Sequence, residues 1–367
     1  MKVGFFSPLA PARTGVADYA AALLEGLRRQ VDVEVNAAEA DVHLYHLGNN
    51  PLHRAIYERA LARPGVVVLH DAVLHHFLLG TLGEHAYVEE FVYNYGGWYR
   101  GLAEELWRGR ARSAQDPRYF QYAMLRRVAE ASRAVIVHNP AAAAAVTAHS
   151  PRARVIEIPH LCQEPGRLPL FEVVRLRESL GIKPRTFLFG VFGYLREGKR
   201  ILSLLRAFAR VRQAGVDAAL LVAGDFVSAD LARAAQPLLA QPGVIREGFA
   251  PEDRFWKLAA SVDACINLRY PAAGETSGIG MRLMSIGKPL IVTDSAENAG
   301  LPEAACLRVP PGPAEVETLA TYMLWLARFP ESARRMGRRA AAQVAAEHSL
   351  DAVCARYLQA LGAVTPI

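Results

Sequence analysis

The stretch Arg269-Tyr-Pro-Ala-Ala-Gly-Glu275-Thr-Ser-Gly278-Ile-Gly-Met-Arg282-Leu-Met-Ser-Ile-Gly-Lys-Pro289 decides how this chain is read. It lies between two apolar, strand-like runs, Val262 to Leu268 and Leu290 to Thr293, so its glycines and hydroxyls fall where a strand hands over to a helix. In open α/β sheets, ligands sit at such handovers. A helix opening at Thr276 or Ser277 aims unpaired backbone N–H groups, two hydroxyls and the positive end of its dipole at whatever lies above it. That predicts an anion, most simply a phosphate. A capped helix start that holds no ligand is the competing reading.

Working outward, short apolar runs alternate with helical patterns on both sides of this segment. In the first half the runs are Val3 to Phe6, Val31 to Val35, Val42 to Tyr45, Val66 to Leu69, Ala134 to Val137 and Val155 to Ile158. The second half begins the same grammar again at Phe187 to Phe192 and continues at Ala218 to Ala223, near Val244, at Ala264 to Leu268 and at Leu290 to Val292. From Pro313 onward the chain reads as helical. Strands that alternate with helices imply parallel sheets covered on both faces. Between the halves, Pro159-His-Leu-Cys-Gln-Glu-Pro-Gly-Arg-Leu-Pro169 reads as a linker. Two α/β halves with a hinge predict a ligand-holding cleft.

Composition narrows the classes. A chain of 367 residues is long for one core and fits two domains. With 52% hydrophobic and 21% charged residues it is globular and not disordered. The formal charge of +6 is spread along the chain, which suits an anionic ligand or an acidic lipid surface and does not form a nucleic-acid-binding block. Cys162, Cys265, Cys306 and Cys354 are far apart, without zinc-site spacing, and read as buried thiols of a reducing compartment. Met1-Lys-Val-Gly-Phe-Phe runs straight into a folded pattern, and no apolar run is long enough to span a bilayer, so the expected location is the cytoplasm.

Several residue groups carry chemistry. Arg13-Thr14-Gly15 follows the first strand, where Gly15 lets the turn take an angle other residues avoid or lets a ligand approach closely. The three spaced glycines of dinucleotide sites are absent there. His70-Asp71 closes the Val66 to Leu69 strand, the edge where catalytic groups gather, and His70 is of a type that holds or relays a proton. His75 and His76 are adjacent and point apart on a helix, which argues against a metal site with His70 and Asp71. Arg196, Lys199 and Arg200 follow Gly193 beside a helix start, where cations oppose the helix dipole unless an anion joins them. His138-Asn139-Pro140 and His160 close the last two strands of the first half and read first as structural polar residues. Between residues 71 and 130 the sequence is aromatic and basic, from Tyr93 and Trp98 to Arg126 and Arg127, which suits a glycan or lipid-linked ligand as well as helix cores with solvated arginines.

Taken together, these motifs resemble the retaining glycosyltransferases of family four (group 1), over nearly the whole length of the chain. The resemblance rests on Gly15, His70-Asp71, Ile158-Pro159-His160, the Gly193 to Lys199 turn, Ala223-Gly224-Asp225, Gly248-Phe249 and the Glu275 to Pro289 segment. It implies the GT-B fold: two Rossmann-like doubly wound α/β domains facing a central cleft. The acceptor-side domain would span residues 1–165 and the donor domain 166–348, with a helix over 349–367 crossing back to the first domain. It further implies retaining, metal-independent transfer from a UDP- or GDP-sugar, with no separate cofactor, to a glycan, lipid-linked or small-molecule acceptor, and it allows peripheral contact with a membrane face. In that scheme Arg196 and Lys199 neutralise the diphosphate and Thr276, Ser277 and Gly278 cradle it. Glu275 contacts sugar hydroxyls, His70 sits under the sugar, and Gly15 bounds the floor.

The sequence departs from the family pattern at two places. Arg282 stands where a second glutamate is usual, and Tyr194 follows Gly193 where an arginine is usual, so Arg196 is read in its place. A nucleotide-binding scaffold without turnover and a nucleotide-sugar epimerase are the alternative readings.

Overall fold

A computed structural model describes residues 1–12, 14–163, 165–166 and 168–364. Arg13 of the first turn, and Glu164 and Arg167 of the proline-bearing segment, lie outside the described residues. The chain divides into two compact units. The first contains Met1–Leu161, Pro271–Thr276 and Glu347–Ile367, and the second contains Cys162–Tyr270 and Ser277–Ala346.

The first unit is built on a parallel six-stranded sheet in the order β2-β1-β3-β4-β5-β6, with β1 Lys2–Phe6, β2 Asp32–Val35, β3 Val42–Leu47, β4 Val66–Leu69, β5 Ala134–Val137 and β6 Val155–Glu157. Side chains alternate across a strand, and here both faces are apolar. Val66, Val68, Ala134 and Ile136 enter one core, while Val67, Leu69, Val135 and Val137 enter the other. Burial on both sides is why the strands read as unbroken Val and Ile runs instead of alternating ones.

The helix Gly15–Arg28 covers one face together with the final helix Leu350–Gly362, and Tyr19, Leu23, Val353, Cys354, Tyr357 and Leu361 share their core. The Tyr19 and Tyr357 hydroxyls lie 2.9 Å apart, which satisfies two polar groups that would otherwise be buried unpaired. The last helix therefore belongs to the first unit, as the resemblance implies.

The second unit repeats the plan with β7 Phe187–Phe192, β8 Ala218–Ala223, β9 Val244–Glu247, β10 Ala264–Asn267, β11 Leu290–Thr293 and β12 Cys306–Val309. Its parallel sheet runs β12-β11-β10-β7-β8-β9. Read from the other edge this is the doubly wound order in which the chain reverses direction between β7 and β10. In the first unit the equivalent reversal lies between β1 and β3. The sequence reading lacked β12, whose short Cys306-Leu-Arg-Val run is broken by Arg308 and only partly buried. Among the described residues no helix is long and apolar enough to cross a membrane.

Candidate functional site

In the second unit the strand reversal puts two loops at the carboxyl edge of the sheet, one after β7 and one after β10. The first is held in shape by backbone constraints. Gly193 has φ +83° and Gly224, closing β8, has φ +134°. A Cβ at Gly224 would stand 2.3 Å from the Gly193 carbonyl oxygen, so the two turns touch through bare backbone. Leu195 N–H donates to Asp225 O at 2.8 Å, and Val227 N–H donates to Leu195 O at 3.1 Å. This pins the loop that carries Arg196 and Lys199 against the end of β8.

The three cations of that loop have different surroundings. Lys199 Nζ donates to the Phe192 carbonyl at the end of β7 and lies against Gly193. Arg196 is exposed, with its guanidinium 6.0 Å from the Tyr194 ring. Arg200 turns the other way: it adopts φ +56° and its Nε donates to both carboxylate oxygens of Glu315, at 2.9 and 3.0 Å. Its charge is matched inside the fold, so the dipole conflict that the sequence suggested at this helix start is relieved by Glu315 and needs no ligand at Arg200.

After β10, Ser277 caps the helix Gly278–Ser285, accepting the Gly280 N–H at 3.1 Å. Its hydroxyl also donates to Asn267 Oδ1 at 3.2 Å and accepts from Arg269 at 3.1 Å. The Ser277 side chain is thus occupied within the protein, and what it presents outward is the helix start itself. The N–H groups of Gly278 and Ile279, first in that helix, take no acceptor among the described residues. Arg282, farther along, stacks 4.0 Å from the Phe255 ring and 4.4 Å from the Trp256 ring and pairs with Glu252.

Glu275 and Thr276 fall in the first unit. Gly274 (φ +74°) is so close to Ala72 that a Cβ would lie 2.6 Å from the Ala72 Cβ. Thr276 Oγ1 donates to His138 O at 3.2 Å and accepts from Asn139 Nδ2 at 3.0 Å, and Asn139 Nδ2 also donates to Gly274 O at 3.0 Å. Glu275 Oε2 accepts the Ala273 N–H at 2.7 Å, which fixes its carboxylate beside its own turn. The segment read as one anion site is therefore divided: Glu275 and Thr276 are held near the ends of β4 and β5, and Ser277 and Gly278 at the end of β10.

At the carboxyl edge of the first sheet the structure gathers histidines that the sequence scatters. His46 is the penultimate residue of β3, His70 follows β4, His138 follows β5 and His160 lies after β6. Tyr19 stands among them, its ring 4.9 Å from His70, 5.2 Å from His138 and 4.8 Å from His160. His46 Nδ1 and His70 Nε2 are 2.9 Å apart. His53 Nδ1–H donates to His46 O at 2.9 Å, and His138 Nδ1–H donates to Ile158 O at 3.0 Å.

Burial, reinforced by neighbouring imidazoles, lowers the pKa of His46 to about 3 and holds His70 well below the usual 6.5. Burial alone dominates at His138, lowered to about 4. His46, His70 and His138 are therefore neutral at physiological pH. Asp71 Oδ2 accepts the Asn49 N–H at 2.7 Å and so shapes the loop after β3.

The remaining sequence candidates are placed as follows. His75 donates Nδ1–H to Tyr122 O at 2.9 Å and its Nε2 meets the Tyr87 hydroxyl at 2.6 Å, a wholly internal arrangement. Among the described residues no group of three or more His, Cys, Asp or Glu side chains is arranged to hold a metal. Gly15 is the first residue of its helix and takes no positive φ, contrary to the special turn angle read from sequence. What glycine supplies there is open space, with no atom of the described residues within 4 Å of a Cβ. Sequence reasoning missed His46 and Tyr19; the usable signal for His46 was a polar residue at the carboxyl end of an apolar strand, just before Gly48-Asn49-Asn50.

Comparison with known proteins assigns this architecture. Residues 186–328 match the family described as glycosyl transferases group 1. No curated protein matches the chain by sequence. Among solved structures, HepE of Anabaena in complex with UDP and glucose is 14% identical over 99% of this chain and 100% of that chain, with a TM-score of 0.66. Sucrose-phosphate synthase from Thermosynechococcus elongatus is 15% identical over 99% and 98% of the two chains, with a TM-score of 0.68. WaaG, a glycosyltransferase involved in lipopolysaccharide biosynthesis, is 15% identical over 100% of both chains, with a TM-score of 0.62. At these identities the likeness shows the fold, which is the two-domain GT-B fold.

Proposed function

We propose that this chain transfers a sugar from a nucleoside-diphosphate sugar, with UDP as the first nucleotide to test, to a glycan, lipid-linked or small-molecule acceptor with retention of anomeric configuration. The observation that carries the reading is the second unit's strand reversal, where Lys199 follows β7 and the N–H groups of Gly278 and Ile279 open the helix after β10. Both are suited to a diphosphate. The family match over this unit and the UDP bound by HepE support the same choice.

In this reading Lys199 and Arg196 stabilise charge that grows on the diphosphate as the anomeric C–O bond breaks. Stabilisation of developing charge is a large part of such catalysis. Thr276, Ser277 and Gly278 contribute through the backbone at the helix start, since both hydroxyls are engaged within the protein. Glu275 reads sugar hydroxyls, neutral His70 lies under the sugar, and Gly15 leaves the floor open. The cations and the helix start do the work a divalent metal does elsewhere, so EDTA leaves the rate unchanged.

Incubation with a panel of UDP- and GDP-sugars, reading release of the nucleoside diphosphate, tests the proposal. No release, and no thermal shift with any nucleotide, rejects it. Nucleotide binding without transfer would favour the scaffold reading, to which Arg282, bound to Glu252 in place of a second carboxylate, lends support.

A further inference from the structure

His70 has two ring nitrogens, and its partner decides which one carries the proton. Its Nε2 faces His46 Nδ1 at 2.9 Å, while its Nδ1 takes no partner among the described residues. Two neutral arrangements satisfy the contact. In one, His46 donates from Nδ1 and keeps a bare Nε2, leaving His70 protonated on Nδ1. In the other, His70 donates from Nε2 and His46 must carry a proton on its own Nε2.

His46 is fully buried and its Nε2 has no partner among the described residues. A buried N–H without an acceptor is rarer in folded proteins than an under-used acceptor, so the first arrangement is favoured. His138 shows that this cluster tolerates a bare buried nitrogen: its Nδ1–H is committed to Ile158 O, and its buried Nε2 is left without a partner. Among the described residues the rings around the pair are Phe5, Tyr19, His53, His138 and His160, and none of them hydrogen-bonds His46 Nε2.

We propose that His46 is a positioning residue that fixes His70 in the Nδ1–H form, so that His70 presents a hydrogen-bond donor, and not a base, to the bound sugar or acceptor oxygen. The assignment of a ligand to His70 rests on the glycosyltransferase reading above; the tautomer does not. Burial of the pair keeps both rings neutral, so the donor is present without a positive charge beside the reacting centre.

Protein labelled with ¹⁵N in histidine, read through two-bond ¹H–¹⁵N correlations and assigned by signals lost in His46 and His70 variants, tests this directly. The expected pattern is a protonated Nδ1 and bare Nε2 on both His46 and His70. A protonated Nε2 on His70, or averaging between tautomers, overturns the proposal.

Two variants then read the consequence with whichever nucleotide sugar turns over. His46→Asn can place an amide N–H where Nδ1–H was, whereas His46→Phe keeps a ring and loses the donor. Loss of one orienting hydrogen bond predicts a kcat about tenfold lower in His46→Phe with KM for the donor sugar little changed, and a return to within about threefold in His46→Asn. Equal activity in the two variants, or an unchanged His70 pattern in His46→Phe, removes the positioning role. If no nucleotide sugar turns over at all, the glycosyltransferase reading fails while the tautomer pattern still decides this one.

Discussion

Lys199 and Arg200 are neighbours in sequence with different tasks. The Arg200 guanidinium is matched to Glu315, which is almost fully buried, whereas Lys199 stands at the end of β7 beside Gly193. Lys199→Ala is therefore expected to weaken UDP binding by about 1.5–3 kcal/mol, the worth of one charge-assisted contact, measurable by calorimetry. Unchanged UDP affinity would place the diphosphate elsewhere. Arg200→Ala should instead strand a buried carboxylate and lower unfolding stability by roughly 3 kcal/mol, less what solvent screens at the partly exposed guanidinium. Urea unfolding checks it. The sequence could list three cations at this turn, but the carboxylate that claims one of them lies 115 residues away. Likewise His70 was readable from its place at a strand end, while His46 acquires meaning only when β3 and β4 pair.

Between β7 and β10, the elements were legible because their physics is local. Apolar runs of Val, Ile, Leu and Phe mark strands buried on both faces, and Ser277 followed by glycines marks a helix start. Sheet order was not legible, since nothing in a strand's composition says that β7 lies between β8 and β10. Nor was the division of the Glu275 segment, which follows from Asn139 and Ala72 receiving Gly274 and Thr276. Ser277→Ala should cost about 1 kcal/mol through loss of the cap, with more if Asn267 and Arg269 lose their partner. Gly224→Ala should cost more than about 2 kcal/mol, because the left-handed backbone and the Gly193 carbonyl both oppose a Cβ. Denaturation midpoints of these two variants rank the cap against the turn; a Gly224→Ala protein as stable as the parent would show that the two turns can separate.

For the molecule as a whole, the buried histidines set an acid limit. His46 and His75, each lowered to about 3, and His138, lowered to about 4, remain neutral when folded, but the unfolded chain protonates them below 6.5. The unfolded state therefore binds more protons in the window from 6.5 down to about 4, and stability must fall as pH falls through it. Each such group contributes a slope of up to about 1.4 kcal/mol per pH unit. Urea midpoints should drop steeply across this range, and a flat profile would mean that the cluster is open to water.

The placement of Leu350–Gly362 against Gly15–Arg28 has a consequence for synthesis. The 1–161 part of the first unit cannot complete its core until the later 347–364 segment has been synthesised, while the second unit has all its segments sooner. The nascent amino-terminal half must wait with Leu23 and its neighbours uncovered, a natural client for chaperones. A chain ended before Glu347 should express as a protease-sensitive product. Joining the 347–364 segment ahead of Met1 instead would let the first unit finish during translation, with early acquisition of protease resistance as the sign that order of emergence had been the obstacle.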